Sequence, residues 1–179
     1  MEIVPQPEDL QKTHPNLAKI WPFFMSVMQE SERGTVLITS GYIEQQLEEI
    51  LRAFMVADVD VDELLQGANA PVGTLAARIS ICHGLGLIAD DEKRELTFIR
   101  KIRNEFAHHV ETTFATSRVS DWCKELKIRV PAYIRPEGPE SDSRPQTLFL
   151  TAAMAIMMWL VNRPEHVSLQ RRSAQAWAF

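Results

Sequence analysis

The residues best suited to chemistry in this 179-residue chain stand together in the run Ile102-Arg103-Asn104-Glu105-Phe106-Ala107-His108-His109. Arg103 supplies a permanent cation with a forked donor set that suits phosphate or carboxylate oxygens. His108 supplies an imidazole that titrates near neutrality and can serve as general base or acid. Asn104 offers both a donor and an acceptor between them. Arginine and histidine of this kind need no metal to cleave RNA, because the 2′-hydroxyl is an internal nucleophile and the cation can stabilise the transition state.

Helix geometry sets a condition on that chemistry. On an unbroken helix Arg103 and His108 diverge by about 140°, and His109 lies about 120° round the other way. Convergence therefore requires that the helix end or distort near Ala107, or that two subunits each contribute one motif. The alternative is structural: Arg103 and Asn104 tie their helix to Glu32 or Glu44, and the His108 cation sits favourably near a helix C-terminus. A pocket floored by Arg33, Glu44 and Arg103 would instead suit a small ligand.

Other chemistry is poorly represented. There is no Gly-rich phosphate loop, no zinc-type Cys or His spacing and no serine nucleophile elbow. His108 and His109 point about 100° apart on a helix, and no third ligand is spaced to join them, so no metal is expected. No cofactor is implied. The carboxylate pairs Glu48-Glu49 and Asp90-Asp91 read as solvated faces or helix caps.

The elements that must position these groups read as helices. A 45% hydrophobic and 24% charged composition with only seven glycines predicts a single all-α domain, a bundle of about seven to eight helices. A first helix is expected from Asp9 to about Met28, interrupted or kinked at His14-Pro15 and Trp21-Pro22. Ser31 caps a long helix to about Met55, whose stripe Val36, Ile43, Leu47, Ile50, Leu51 and Phe54 faces a core. Glu32 and Arg33 at its start need partners or a wet pocket. Asp60 with Glu63 resembles a capping box for a short helix through Leu65. Thr74 opens a helix to about His83, closed by Gly84 and Gly86, and Asp90 caps the helix that carries the Arg-Asn run. That helix places Leu96, Ile99, Ile102, Phe106 and Val110 on one stripe. A short helix from Ser117 to about Lys127 follows. An exposed connector is expected over about 131–145. Ser143 with Gln146 caps an apolar helix over about 146–162, central in the bundle or in a subunit interface, before a tail over 163–179.

Charge bounds the partners. A net charge of -5 and a pI near 5.6 do not suit broad coating of DNA, which needs many cations opposite phosphates. Arg94, Arg100, Lys101 and Arg103 form a local basic cluster on one segment, which leaves RNA as a possible partner. Cys82 and Cys123 both fall in apolar helical patterns, as free thiols of a reducing compartment do. The N-terminus has no signal-peptide pattern. The longest apolar stretch, Leu148 to Val161, is short of the roughly 20 residues a bilayer span needs. A cytoplasmic protein without membrane contact is expected.

Several stretches together carry a resemblance. Glu30-Ser31-Glu32-Arg33-Gly34, Ile43-Glu44-Gln45-Gln46-Leu47, Pro71-Val72-Gly73, Ala77-Arg78-Ile79, Gly84-Leu85-Gly86-Leu87-Ile88 and Ile99 to His109 resemble, in order, the mannitol operon repressor (MltR-like) family over about residues 24–130. The resemblance implies an all-α fold and a role in transcriptional regulation. The sequence has no recognisable helix-turn-helix, zinc finger or basic region, so a protein partner is expected rather than direct operator reading. The Arg-Asn-x-x-x-His element also resembles the signature of the HEPN superfamily, many members of which are dimeric, metal-independent ribonucleases. On that second resemblance Arg103, Asn104 and His108 would be the catalytic set. Glu32, Arg33, Glu44, Arg100 and His109 are read from the residues themselves as candidate binding residues. A homo-oligomer, a dimer foremost, is expected.

Overall fold

The computed structural model describes residues 15–67, 69–129 and 143–177. The described residues form eight helices and no strand. They are α1 (Pro15–Val27), α2 (Glu32–Phe54), α3 (Val59–Leu65), α4 (Leu75–Gly84), α5 (Asp90–His108), α6 (Ser117–Glu125), α7 (Pro145–Leu160) and α8 (Arg163–Ser168). The expected all-α bundle is observed. The expected start of the first helix at Asp9 and most of the 131–145 connector lie outside the described residues.

The long helix α2 is the spine. Ser31 Oγ accepts from the Gly34 N–H at 3.1 Å, and the whole predicted stripe from Val36 to Phe54 is buried. Around it pack α4, α5, α7 and α8, and α1 packs on both α2 and α7. α7 resolves the choice left by its all-round apolar pattern. Phe149 and Ala152 to Met157 are buried, so it is a core helix of this chain. Together with α8 the stretch Pro145–Ser168 is apolar enough by length and composition to cross a bilayer. Its burial against α2 and α6 and the turn at Val161 and Asn162 mark it as a core element.

Three helix starts differ from expectation. α3 begins at Val59 with Asp58 at the N-cap, so Asp60 lies inside its first turn. α5 has Ala89 at its N-cap, because the Glu92 carboxylate takes the Ala89 N–H at 2.7 Å and frees Asp90 to bond His83 Nε2 at 2.7 Å. α7 starts on Pro145, whose missing N–H costs nothing at that position, with Arg144 rather than Ser143 at the cap. α1 runs through Pro22 without ending there.

The close of α4 follows expectation. Gly86 adopts φ +71°, and Leu87 and Gly86 donate to the Cys82 and His83 carbonyls at 2.8 and 2.9 Å. This reversal needs a left-handed residue, which glycine supplies without a Cβ clash. It turns the chain directly into α5 and so fixes where the Arg-Asn run lies.

Candidate functional site

Of the expected stripe, Leu96, Ile99, Ile102 and Phe106 are fully buried and clamp α5 to the core, whereas Val110 lies past the end of the helix and is exposed. Arg103 follows Ile102 by one step of rotation and is half-buried. α5 stays regular through His108, and His109 is its C-cap, with its N–H on the Glu105 carbonyl at 3.1 Å. Within one chain, therefore, Arg103 and His108 leave the helix about 140° apart. No break near Ala107 brings them together.

Arg103 turns to its neighbour Asn104 instead. Arg103 Nη1 donates to Asn104 Oδ1 at 3.1 Å. Asn104 also lies one turn after Arg100 and one turn before His108, on the row where residues four apart are neighbours. The result is a line Arg100, Asn104, His108 with Arg103 leaning onto its middle. His108 is exposed and Arg100 half-buried.

The other expected site residues gather elsewhere, at the joint between the end of α5 and the start of α2. Arg33 Nη2 donates to the carbonyls of His109 and Val110 at 2.9 and 2.6 Å, and its guanidinium lies 5.9 Å from the Phe106 ring centroid. Glu32 Oε2 accepts from the Phe114 N–H at 2.9 Å. His109 Nδ1 is 3.4 Å from Glu105 Oε1, and Arg118 approaches the same carboxylate at 3.7 Å. Glu32 and Arg33 thus staple the loop after α5, and the expected tie from Arg103 to Glu32 is replaced by the bond to Asn104. Glu44 stands eleven residues beyond Arg33, about 16 Å along α2, and its carbonyl accepts from Arg78. Arg33, Glu44 and Arg103 do not floor one pocket. Two depressions lie away from these residues, one beside Asp60, Glu63 and Pro71, the other between Met28, Thr35 and Leu150.

Most arginines are consumed by the fold. Arg78, buried, donates to the carbonyls of Val72, Glu44 and Leu65 at 3.1, 3.1 and 2.8 Å and pairs with Glu48 at 2.8 Å. Arg163 forks onto both Glu92 oxygens at 2.6 and 2.7 Å. Arg171 reaches the Arg52 and Ala53 carbonyls at the end of α2 at 3.0 and 3.2 Å. Arg52 pairs with Glu48 and Asp62, Arg94 with the fully buried Glu95. By contrast Arg100 and Arg103 meet no carboxylate among the described residues, and Lys101 lies 4.8 Å over the Phe98 ring.

Sequence reasoning passed over the most committed charges, Arg78, Glu92, Glu95 and Arg163. Glu95 Oε1 and Oε2 accept from the Lys127 and Ile128 N–H groups at 2.9 to 3.1 Å, holding the chain after α6. The available signal was a charge inside an apolar stripe, since Glu92 and Glu95 lead directly into Leu96 and Ile99. Such a charge must find a partner. Among the described residues no three His, Cys, Asp or Glu side chains gather to hold a metal ion. Burial pushes the Cys82 and Cys123 thiols up to about 12, as packed apolar thiols rather than nucleophiles.

Fold and site together define an all-helical protein with one core and a short cationic row on the outer side of α5. No protein-family model matches the sequence, and no curated protein does. Among solved structures the chain is similar to the MtlR–HPr complex from Escherichia coli, with a TM-score of 0.54 at 19% identity, over 80% of this chain and 98% of that one. The fold is MtlR-like, as the resemblance to the mannitol operon repressor family implied.

Proposed function

We propose that this chain is a regulatory protein that acts by binding another protein rather than by reading DNA, in the cytoplasm and as a homo-oligomer. The observation that carries the reading is the fold shared with a structure of MtlR bound to HPr. Two features of the chain support it. The net charge is -5, and most described arginines are spent on internal carboxylates and carbonyls, which leaves little cationic surface for a duplex. An HPr-type protein is the first partner to try. Isothermal titration with purified HPr should give a saturable complex, and a gel shift with operator DNA should show no shift by this chain alone. A sequence-specific shift by the isolated chain would overturn the reading.

A ribonuclease reading has one observation in its favour: Arg103 is held by an amide and meets no carboxylate among the described residues, with His108 exposed on the same helix. Because α5 is regular through His108, this reading needs Arg103 of one copy to meet His108 of another. Single-stranded RNA cut in the presence of EDTA by wild-type protein, and left intact by His108→Ala, would support it. Intact RNA at high protein concentration would end it.

A further inference from the structure

We propose that the outer face of α5 docks an extended acidic segment of a partner protein, through Arg100, Arg103, Asn104 and His108. The inference rests on the reading of the chain as a protein-binding regulator and adds the chemistry of what is bound.

The first ground is charge. The sequence carries 24 acidic residues against 19 Lys and Arg, so carboxylates are plentiful, yet Arg100 and Arg103 are left without one among the described residues. Half-buried guanidinium groups in that state are poised for an external anion, and a bidentate partner would satisfy their forks.

The second ground is polarity of donors. The Arg103 bond occupies Asn104 Oδ1, which turns the amide so that its N–H groups are free to donate. The row then presents donors to an acceptor-only ligand such as a carboxylate. α5 packs its buried stripe toward α2, α4, α6 and α7, and Arg100, Asn104 and His108 lie about 100° to 180° round the helix from the buried Ile99.

The third ground is spacing. Arg100, Asn104 and His108 recur once per turn, about 6 Å apart along the axis. Side chains on one side of an extended chain recur at about 6.6 Å. A strand-like segment with an acidic residue at every second position can therefore lie along the helix and meet each position in turn. Single-stranded nucleic acid has a comparable repeat but draws on free aromatic faces for its bases. Phe98 is covered by Lys101 and Phe106 is buried, so the face offers no stacking platform among the described residues.

The test is fluorescence anisotropy at low ionic strength, with a labelled peptide of alternating glutamate and serine, an all-serine control and a single-stranded RNA of equal charge. The glutamate peptide alone should bind, and its affinity should fall with salt. Arg100→Glu with Arg103→Glu should weaken binding by about tenfold or more with the thermal unfolding midpoint retained. Arg100→Gln with Arg103→Gln should weaken it in the same direction should the reversed charges disturb folding. The equal charge change Lys124→Glu with Lys127→Glu, on and after α6, should leave binding within about twofold. Absence of peptide binding, equal loss in the α6 control, or tighter binding of the RNA would each overturn the proposal. A protein that ignores the peptide but binds HPr loses this surface and keeps its regulatory reading. One that shifts operator DNA unaided loses the regulatory reading whatever the peptide does.

Discussion

Two sets of arginines divide this molecule. Around Arg78 the guanidinium is buried, each fork of its donor set is used, and Glu48 neutralises it. On α5, Arg100 and Arg103 are half-buried with no carboxylate among the described residues, and Arg103 donates to the neighbouring amide. The same residue type thus does opposite work. Arg78 satisfies carbonyls that the turns around α3 leave inside the core, whereas the α5 pair, apart from the Arg103 bond to Asn104, gives no donor to a carboxylate among the described residues. A conspicuous Arg-Asn-His run draws the eye to α5, but the arginine that holds the fold is the inconspicuous one.

The comparison can be broken most severely at Arg78. Arg78→Ala should strand the half-buried Glu48 and remove the donor from the Val72 and Leu65 carbonyls, destabilising the protein by about 3–5 kcal/mol in urea denaturation. A loss under about 1 kcal/mol would show that the clamp is replaceable. Glu95→Ala comes next. It leaves the Lys127 and Ile128 N–H groups unpaired beneath the chain after α6, for a cost of about 2–3 kcal/mol by the same measurement.

Cys82 belongs to the Arg78 region, with its Sγ 3.8 Å from the Leu47 carbonyl. Its thiol is raised from an ordinary value near 9 to about 12 by burial, and Cys123 likewise. The unfolded chain ionises these thiols first. Their contribution is therefore complete below pH about 9 and is lost as pH climbs towards 12. Urea midpoints should fall across that window, and Cys82→Ser with Cys123→Ser should flatten the fall. An unchanged slope in the double variant would assign it to other groups. A smaller effect is expected at Arg33. Arg33→Ala should cost about 1 kcal/mol and speed amide exchange around Val110, because the loop after α5 loses its staple while water can reach its carbonyls.

Much of the scaffold was legible because its signals are local. The α2 stripe, the Ser31 and Thr74 caps and the Gly86 reversal each depend on residues within a few positions, and each is observed. The misplaced caps were also local, but contested. Asp58, Asp60 and Asp62 offer three caps for one short helix, and at Ala89 the cap role passed to the Glu92 carboxylate. What could not be read were the long-range matches. Arg163 finds Glu92 across 71 positions, and Arg33 finds the His109 carbonyl across 76. Nothing near either arginine in sequence distinguishes it from Arg100. The site was legible in composition and only partly in geometry. The angular separation of Arg103 and His108 followed from helix periodicity, but the bond from Arg103 to its neighbour Asn104 needed coordinates.

The most direct test of this division is Arg103→Ala, compared with Arg78→Ala under identical urea denaturation. With no carboxylate to strand among the described residues, Arg103→Ala should stay within about 0.5 kcal/mol of wild type while losing affinity for the acidic peptide. A loss of stability as large as that of Arg78→Ala, with peptide binding unchanged, would contradict the account and make Arg103 one more structural clamp.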